Sequence, residues 1–150
     1  MENQYAFGSY GYIAKKNLNS AERILGIDAD IVLYCSHQAV EKILKENLQR
    51  TYFQPDVLKL LQTHKLYVLV RKSRIAELSS FSVAIAGLDN YYVDGRYPGV
   101  GYADATNEEA KRHFLSAKQI VAILENKISE VMSNGIHCDR QEVRRKIERP

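Results

Sequence analysis

Hydrophobic residues recur every third or fourth position near the C-terminal end of the chain, a spacing that places side chains on one face of an α-helix. Thr106 precedes an acidic stretch and is a suitable N-cap, while Asn134-Gly135 is typical of a helix end. The pattern therefore predicts a helix over residues 107–133. Its apolar positions are Ala110, Phe114, Ala117, Val121, Leu124, Ile128 and Val131.

Three earlier segments repeat this spacing and predict three more helices. The first is closed by Gly26, the second is capped by Asp28 or Asp30 and ends before the turn at 51–55, and the third ends near Val93. Their apolar positions are Tyr10, Ala14, Leu18, Ala21 and Leu25; Leu33, Val40, Ile43, Leu44 and Leu48; and Leu78, Phe81, Ile85, Leu88 and Tyr92.

Residues 56–74 are also apolar at helical intervals, but the phase slips at His64-Lys65. Two short helical pieces are the preferred interpretation. A short buried strand over Leu66–Val70 is the alternative, although no other segment alternates as a partner strand would. The predicted fold class is all-α: an up-and-down four-helix bundle with an additional short helix.

Length and charge divide the chain into a neutral body and a basic end. The 150 residues fit one domain, with a helical bundle over 1–133. Residues 140–150 carry all of the net charge of +3, and the remainder is balanced. We expect the tail at 134–150 to be a solvated helix end or disordered, with a phosphate or acidic partner as the alternative.

Several classes of protein are excluded by missing signals. Cys35 and Cys138 lie too far apart for a close-spaced zinc pattern and are expected to be reduced thiols. No apolar run is long enough to cross a membrane, and no secretory leader is recognisable. Phosphate-binding loops, dinucleotide fingerprints and serine nucleophile elbows are also missing. We expect a cytoplasmic protein without a metal or a cofactor.

The predicted second helix contains the run Ser36-His37-Gln38-Ala39-Val40-Glu41-Lys42, which resembles the second helix of the HEPN family of small helical bundles. Three further matches follow in the family's order, and together the likeness covers residues 5–130. They are Thr63-His64-Lys65-Leu66, then Tyr91-Tyr92 with Gly95-Arg96-Tyr97-Pro98, and finally Glu108-Glu109-Ala110.

Ribonuclease members of that family carry an Arg and a His with four to six residues between them, so the His stands five to seven positions after the Arg. This chain departs from the pattern, because Arg96 is followed at those positions by Gly101, Tyr102 and Ala103. Without the imidazole, the metal-independent cleavage mechanism lacks its acid or base. The resemblance therefore points to the other branch of the family, which implies nucleotide binding, a homodimer and a nucleotidyltransferase protein as partner.

The candidate ligand-binding residues are Arg96, Tyr97, Tyr92, His37 and Lys42. Arg96 lies in a glycine-flanked loop that could present it to a phosphate, or it could bond to a helix end. The tyrosines, including Tyr91, could stack on a base or pack at the edge of the core.

The two histidines of the matched motifs have competing interpretations. His37 is within reach of Tyr34 and Glu41, so it could contact a ligand or be a half-buried core residue. His64 is expected to bond to a helix end or across the bundle. Lys42 and Lys45 are expected on the solvent side of their helix, where Lys42 could attract phosphate.

The leading functional hypothesis is a non-catalytic HEPN protein that binds a nucleotide or nucleic acid. One alternative is a divergent, toxin-like ribonuclease, as in toxin–antitoxin systems, that uses His37 or His64 with Arg96. A third possibility is a dimeric interaction scaffold without a ligand.

Overall fold

The chain folds into α-helices, in agreement with the predicted all-α class. The computed structural model describes residues 4–52, 56–96 and 104–147, with side chains left undescribed at 56, 93–96 and 135–147. No strand occurs in those ranges. The helices are α1 Tyr10–Ile24, α2 Ala29–Thr51, α3 Asp56–Gln62, α4 Leu66–Ser73, α5 Ser82–Arg96 and α6 Asn107–Ile147, with a 3-10 helix at Ala76–Phe81 before α5.

The first two helices are antiparallel, as expected for an up-and-down bundle, and both lie where their end signals predict. Ser9 caps α1 through its side chain, and Gly26 adopts a φ of 84° just after that helix. Of the two cap candidates for α2, Asp28 is the one used, since its carboxylate accepts from the backbone N–H of Ile31 at 3.1 Å. At the far end of α2, Glu46 reaches back to the first turn of α1 and accepts from Gly11 N at 2.9 Å.

The central element of the bundle is α2, which packs against α1, α4, α5 and α6. Its residues are buried on every side from Val32 to Leu48 with few exceptions, including charged ones. Asp30 at its start accepts from Ala105 N at 3.2 Å, so α6 begins at the same end of the bundle as α2. Because α2 is central, several of its polar residues are buried among the other helices.

The predicted break at His64-Lys65 separates α3 from α4, so the two-piece prediction is confirmed and the strand alternative at Leu66–Val70 is wrong. Leu66 and Leu69 are fully buried on the inner face of α4. The helix ends at Arg74, whose φ of 54° is left-handed. Apolar residues at helical spacing thus outweighed the β-branched content of this run.

The ends of α5 and α6 differ from prediction. Helix α5 continues past Val93 to Arg96, and α6 continues past Asn134-Gly135 to Ile147. Six of the seven residues at 140–146 are good helix formers, and a single interior glycine costs only about 1 kcal/mol. At its other end α6 begins as predicted, with a reciprocal pair in which Thr106 N donates to Glu109 and Glu109 N donates to Thr106 at 2.9 and 3.1 Å.

Two further expectations concern the cysteines and a membrane span. Cys35 is a free, buried thiol, while the side chain of Cys138 lies outside the described part. No helix in the described ranges is long and apolar enough to cross a membrane.

Candidate functional site

Three polar residues of α2 lie at successive four-residue steps and all point into the bundle. His37, Glu41 and Lys45 are 0%, 0% and 2% exposed. The prediction that Lys45 faces solvent is therefore wrong. Because α2 is surrounded by other helices, even the side that carries its charges is covered, and the ammonium of Lys45 is taken up by a neighbouring carboxylate.

That carboxylate is Glu41, the centre of a charged cluster. Its Oε1 accepts from Lys45 Nζ at 2.7 Å and from Lys42 Nζ at 2.8 Å. Burial alone would raise the pKa of Glu41, but the hydrogen bonds and charges of the two lysines outweigh it and hold the pKa at about 2. Glu41 is therefore ionised near neutral pH.

The Lys42 ammonium belongs to this cluster as well, through its bond to Glu41. Its side chain is only 17% exposed, so the expectation that it points to solvent is wrong. A fourth member comes from outside α2, since His64 Nδ1 lies 3.2 and 3.3 Å from the two oxygens of Glu41. His64 bonds across the bundle, as one of its interpretations expected.

His37 is enclosed between a second carboxylate and an aromatic ring. Its Nε2 lies 3.2 Å from Asp89 Oδ1 on α5, and its ring stacks on Tyr92 with a centroid separation of 4.1 Å. Its Nδ1 faces Glu41 Oε2 at 3.8 Å and has no hydrogen-bond partner among the described residues. The core interpretation of His37 fits this placement, although the residue is fully rather than half-buried.

Asp89 joins the cluster to the start of α4. Its Oδ1 accepts from Leu66 N at 2.8 Å and its Oδ2 from Tyr67 N at 3.2 Å. These are first-turn amides without intrahelical acceptors, and Lys65 at the N-cap position makes no side-chain cap bond. Asp89 therefore caps α4 from a different helix and fixes the α3–α4 junction against α5.

An open groove of about 620 Å³ lies where this junction meets α5. That volume is within the range of small-molecule sites. Tyr92 contributes an aromatic surface and Tyr67 a second, exposed one. The residues that line the groove are Gln62, Thr63, His64, Lys65, Tyr67, Ala86, Asp89, Asn90 and Tyr92.

The five predicted ligand-binding residues are distributed unequally around this groove. Tyr92 lines it directly, His37 lies behind Tyr92, and Lys42 bonds to Glu41. Arg96 belongs to α5, one helical turn after Tyr92, but its side chain lies outside the described part. Tyr97 falls on residues that the structure does not describe.

Sequence reasoning missed Asp89 and underestimated His64. The sequence does contain a signal for Asp89, which is a charged residue on the apolar face of its helix. It lies four residues after Ile85 and three before Tyr92. Glu41 stood within the matched motif but was considered only as a neighbour of His37. Nothing in the sequence placed His64 beside Glu41, since this contact joins residues 23 positions apart.

A second buried histidine lies apart from the groove. Tyr91 contacts the ring of His113 edge-on at 5.7 Å, and its hydroxyl bonds to Glu109 on α6. Burial, and then the charge of Arg112, lower the pKa of His113. Tyr91 thus packs against α6, in line with the core-edge interpretation. Within the described residues, no three His, Cys, Asp or Glu side chains form a group that could hold a metal ion.

Comparison with known proteins supports the resemblance found in the sequence. The family model for the HEPN domain matches residues 10–127, which includes every contact described above for His37, Glu41, His64 and Asp89. No curated protein and no solved structure matches the chain. By this match and by its all-helical fold, the chain belongs to the HEPN family.

Proposed function

We propose that this protein is a non-catalytic member of the family that binds a nucleotide, free or within a nucleic acid, in the groove between the α3–α4 junction and α5. The observation that carries the proposal is the composition of this groove. It combines an aromatic surface from Tyr92, a half-exposed imidazole from His64 and the cation of Lys65 in about 620 Å³. An aromatic ring can stack on a planar base, a cation can pair with a phosphate, and an imidazole can form a hydrogen bond to the ligand.

In this proposal the base packs on Tyr92, and the phosphate lies toward Lys65 and Arg96. Lys65 forms no ion pair with a described residue and is exposed. His37 and Lys42 act indirectly. His37 supports the ring of Tyr92, and Lys42 helps to keep Glu41 charged, so the two residues position the site rather than contact the ligand.

Thermal unfolding with increasing AMP or a short oligoadenylate tests the proposal. At about 100 times its dissociation constant, a ligand adds about 2.7 kcal/mol to the free energy of unfolding. Tyr92→Leu should abolish the shift and Arg96→Ala should reduce it. Tyr12→Leu, on α1 against Phe7, is the matched control and should keep the full shift. Failure of every nucleotide to stabilise the wild-type protein would refute nucleotide binding.

We also propose a homodimer and a nucleotidyltransferase protein as partner, both on the strength of family membership. Sedimentation equilibrium tests the first, and co-purification with a nucleotidyltransferase encoded beside it tests the second. A monomer at all concentrations argues against the dimer.

A divergent ribonuclease is the second candidate, and the Glu41–His64 contact is what favours it. A carboxylate that orients an exposed imidazole is the usual arrangement of a general base. His37 cannot serve in this role because it is fully buried. The test is incubation of RNA with the wild-type protein and His64→Ala in the presence of a chelator. Absence of cleavage by the wild-type protein eliminates this candidate.

A further inference from the structure

Two hydrogen-bond acceptors face the groove, and the internal contacts of each determine what remains for a ligand. The first is His64, whose side chain is 54% exposed. Its Nδ1 lies 3.2 and 3.3 Å from Oε1 and Oε2 of Glu41. An ionised carboxylate can only accept, so Nδ1 must carry the hydrogen and donate it.

This contact selects one tautomer of the His64 ring. A neutral imidazole carries a single N–H, so a ring that donates through Nδ1 presents Nε2 as an acceptor. Nε2 forms no hydrogen bond to the described part of the chain. The low pKa of Glu41, about 2, keeps its carboxylate charged and so preserves this tautomer.

The second acceptor is Asp89. Its Oδ1 accepts from Leu66 N and pairs with His37 Nε2, and its Oδ2 accepts from Tyr67 N. These three contacts occupy two lone-pair positions on Oδ1 and one on Oδ2. A carboxylate offers about four lone-pair positions. The position that the described residues leave over is on Oδ2, and the side chain of Asp89 is 18% exposed in the wall of the groove.

The lone pair of His64 Nε2 and the carboxylate oxygen Asp89 Oδ2 both repel the oxygens of a phosphate. A phosphate is therefore disfavoured where these two atoms line the groove. They favour an N–H or O–H group instead. The cation of Lys65, on the same groove, is where an anionic group would be stabilised. A ligand that has both hydrogen-bond donors and a phosphate is therefore oriented with its donors toward His64 and Asp89 and its phosphate toward Lys65.

We propose that His64 Nε2 and Asp89 Oδ2 form an acceptor pair that receives hydrogen-bond donors of the bound nucleotide, either ribose hydroxyls or the exocyclic amine of the base. The inference rests on the proposed nucleotide site and adds a selectivity to it. The protein should prefer ligands that carry the donor over analogues of equal charge and size that lack it.

Isothermal titration at pH 8 separates the two sources of the donor. The ligands are AMP, 2′,3′-dideoxy-AMP and purine riboside monophosphate. One analogue should bind about tenfold more weakly than AMP, which corresponds to about 1.4 kcal/mol. A weaker dideoxy compound identifies the ribose as the donor, and a weaker purine riboside compound identifies the amine. Equal affinity for all three overturns the acceptor pair while leaving nucleotide binding intact, whereas no binding of AMP overturns both.

Two variants assign the effect to His64. His64→Phe keeps a planar ring but removes the acceptor, so the preference for AMP should fall below about threefold. Lys65→Met is the matched control, because it should weaken all three ligands alike and keep the preference.

A measurement without ligand checks the tautomer directly. In ¹⁵N NMR spectra at pH 8, the His64 ring should show a protonated Nδ1 and an unprotonated Nε2. The opposite tautomer would overturn the inference, whatever the variants show.

Discussion

The ring of His37 lies face to face with the ring of Tyr92, with centroids 4.1 Å apart and planes within 14°. His37 is fully buried, whereas Tyr92 lines the groove. A core histidine thus supports the aromatic surface that a ligand would meet. Through Nε2 at the edge of its ring, His37 bonds to Asp89, which in turn holds the start of α4. The shape of the groove therefore depends on contacts made beneath it.

Removal of the His37 ring should destabilise the protein strongly. His37→Ala leaves a cavity under Tyr92 and removes one partner of Asp89, so we expect a loss of about 3 kcal/mol in the free energy of unfolding. Lys65→Ala is the control, because that side chain is exposed and forms no ion pair with a described residue, so its loss should cost less than about 1 kcal/mol. Urea denaturation of the two variants measures the difference, and equal losses would contradict the supporting role of His37.

Neutralising Glu41 should be more costly than neutralising a carboxylate at the surface. Glu41→Gln leaves the buried ammonium of Lys45 without its charged partner, at a cost of about 3–5 kcal/mol. Glu22→Gln is the matched control, since its pair with Lys118 is more than half exposed and its loss should not be measurable. Urea midpoints that place Glu41→Gln close to the wild type would show that the cluster does not stabilise the fold.

The same carboxylate predicts how stability depends on pH. The pKa of Glu41 is lowered from 4.5 to about 2 in the folded protein. The group therefore contributes stability that is present above the unfolded pKa and is lost as the pH falls from about 5 toward 2. The contribution is on the order of 3 kcal/mol. Urea unfolding from pH 7 to 2 should show a steeper decline for the wild type than for Glu41→Gln, and parallel declines would contradict the lowered pKa.

A glycine in α5 provides a test in which the expected sign is unusual. Replacing a helical glycine with alanine normally stabilises a protein by about 1 kcal/mol. At Gly87, however, an added Cβ would overlap the buried ring of His113. Gly87→Ala should therefore destabilise the protein, by about 1–3 kcal/mol. A rise in the melting temperature would show that His113 does not pack there.

Apolar spacing predicted the helices well because one inward face per helix is enough to build a bundle. It failed for Lys45, since the prediction treated α2 as having a solvent side, and only the packed fold shows that α4, α5 and α6 surround it. The Glu41–His64 and His37–Asp89 contacts join residues 23 and 52 positions apart, which local patterns do not encode. The end of α6 was misplaced because a glycine is a weak signal where helix formers follow it.

The location of the bound nucleotide is the most direct test of the proposed function. Aromatic ¹H–¹³C NMR spectra recorded during a titration with AMP should show saturable shifts of the rings of His64, Tyr67 and Tyr92, which line the groove. The ring of Tyr12, on α1, should not move. Saturation by AMP with no change at the three groove residues would contradict the proposed site, as would spectra that AMP does not alter at any concentration.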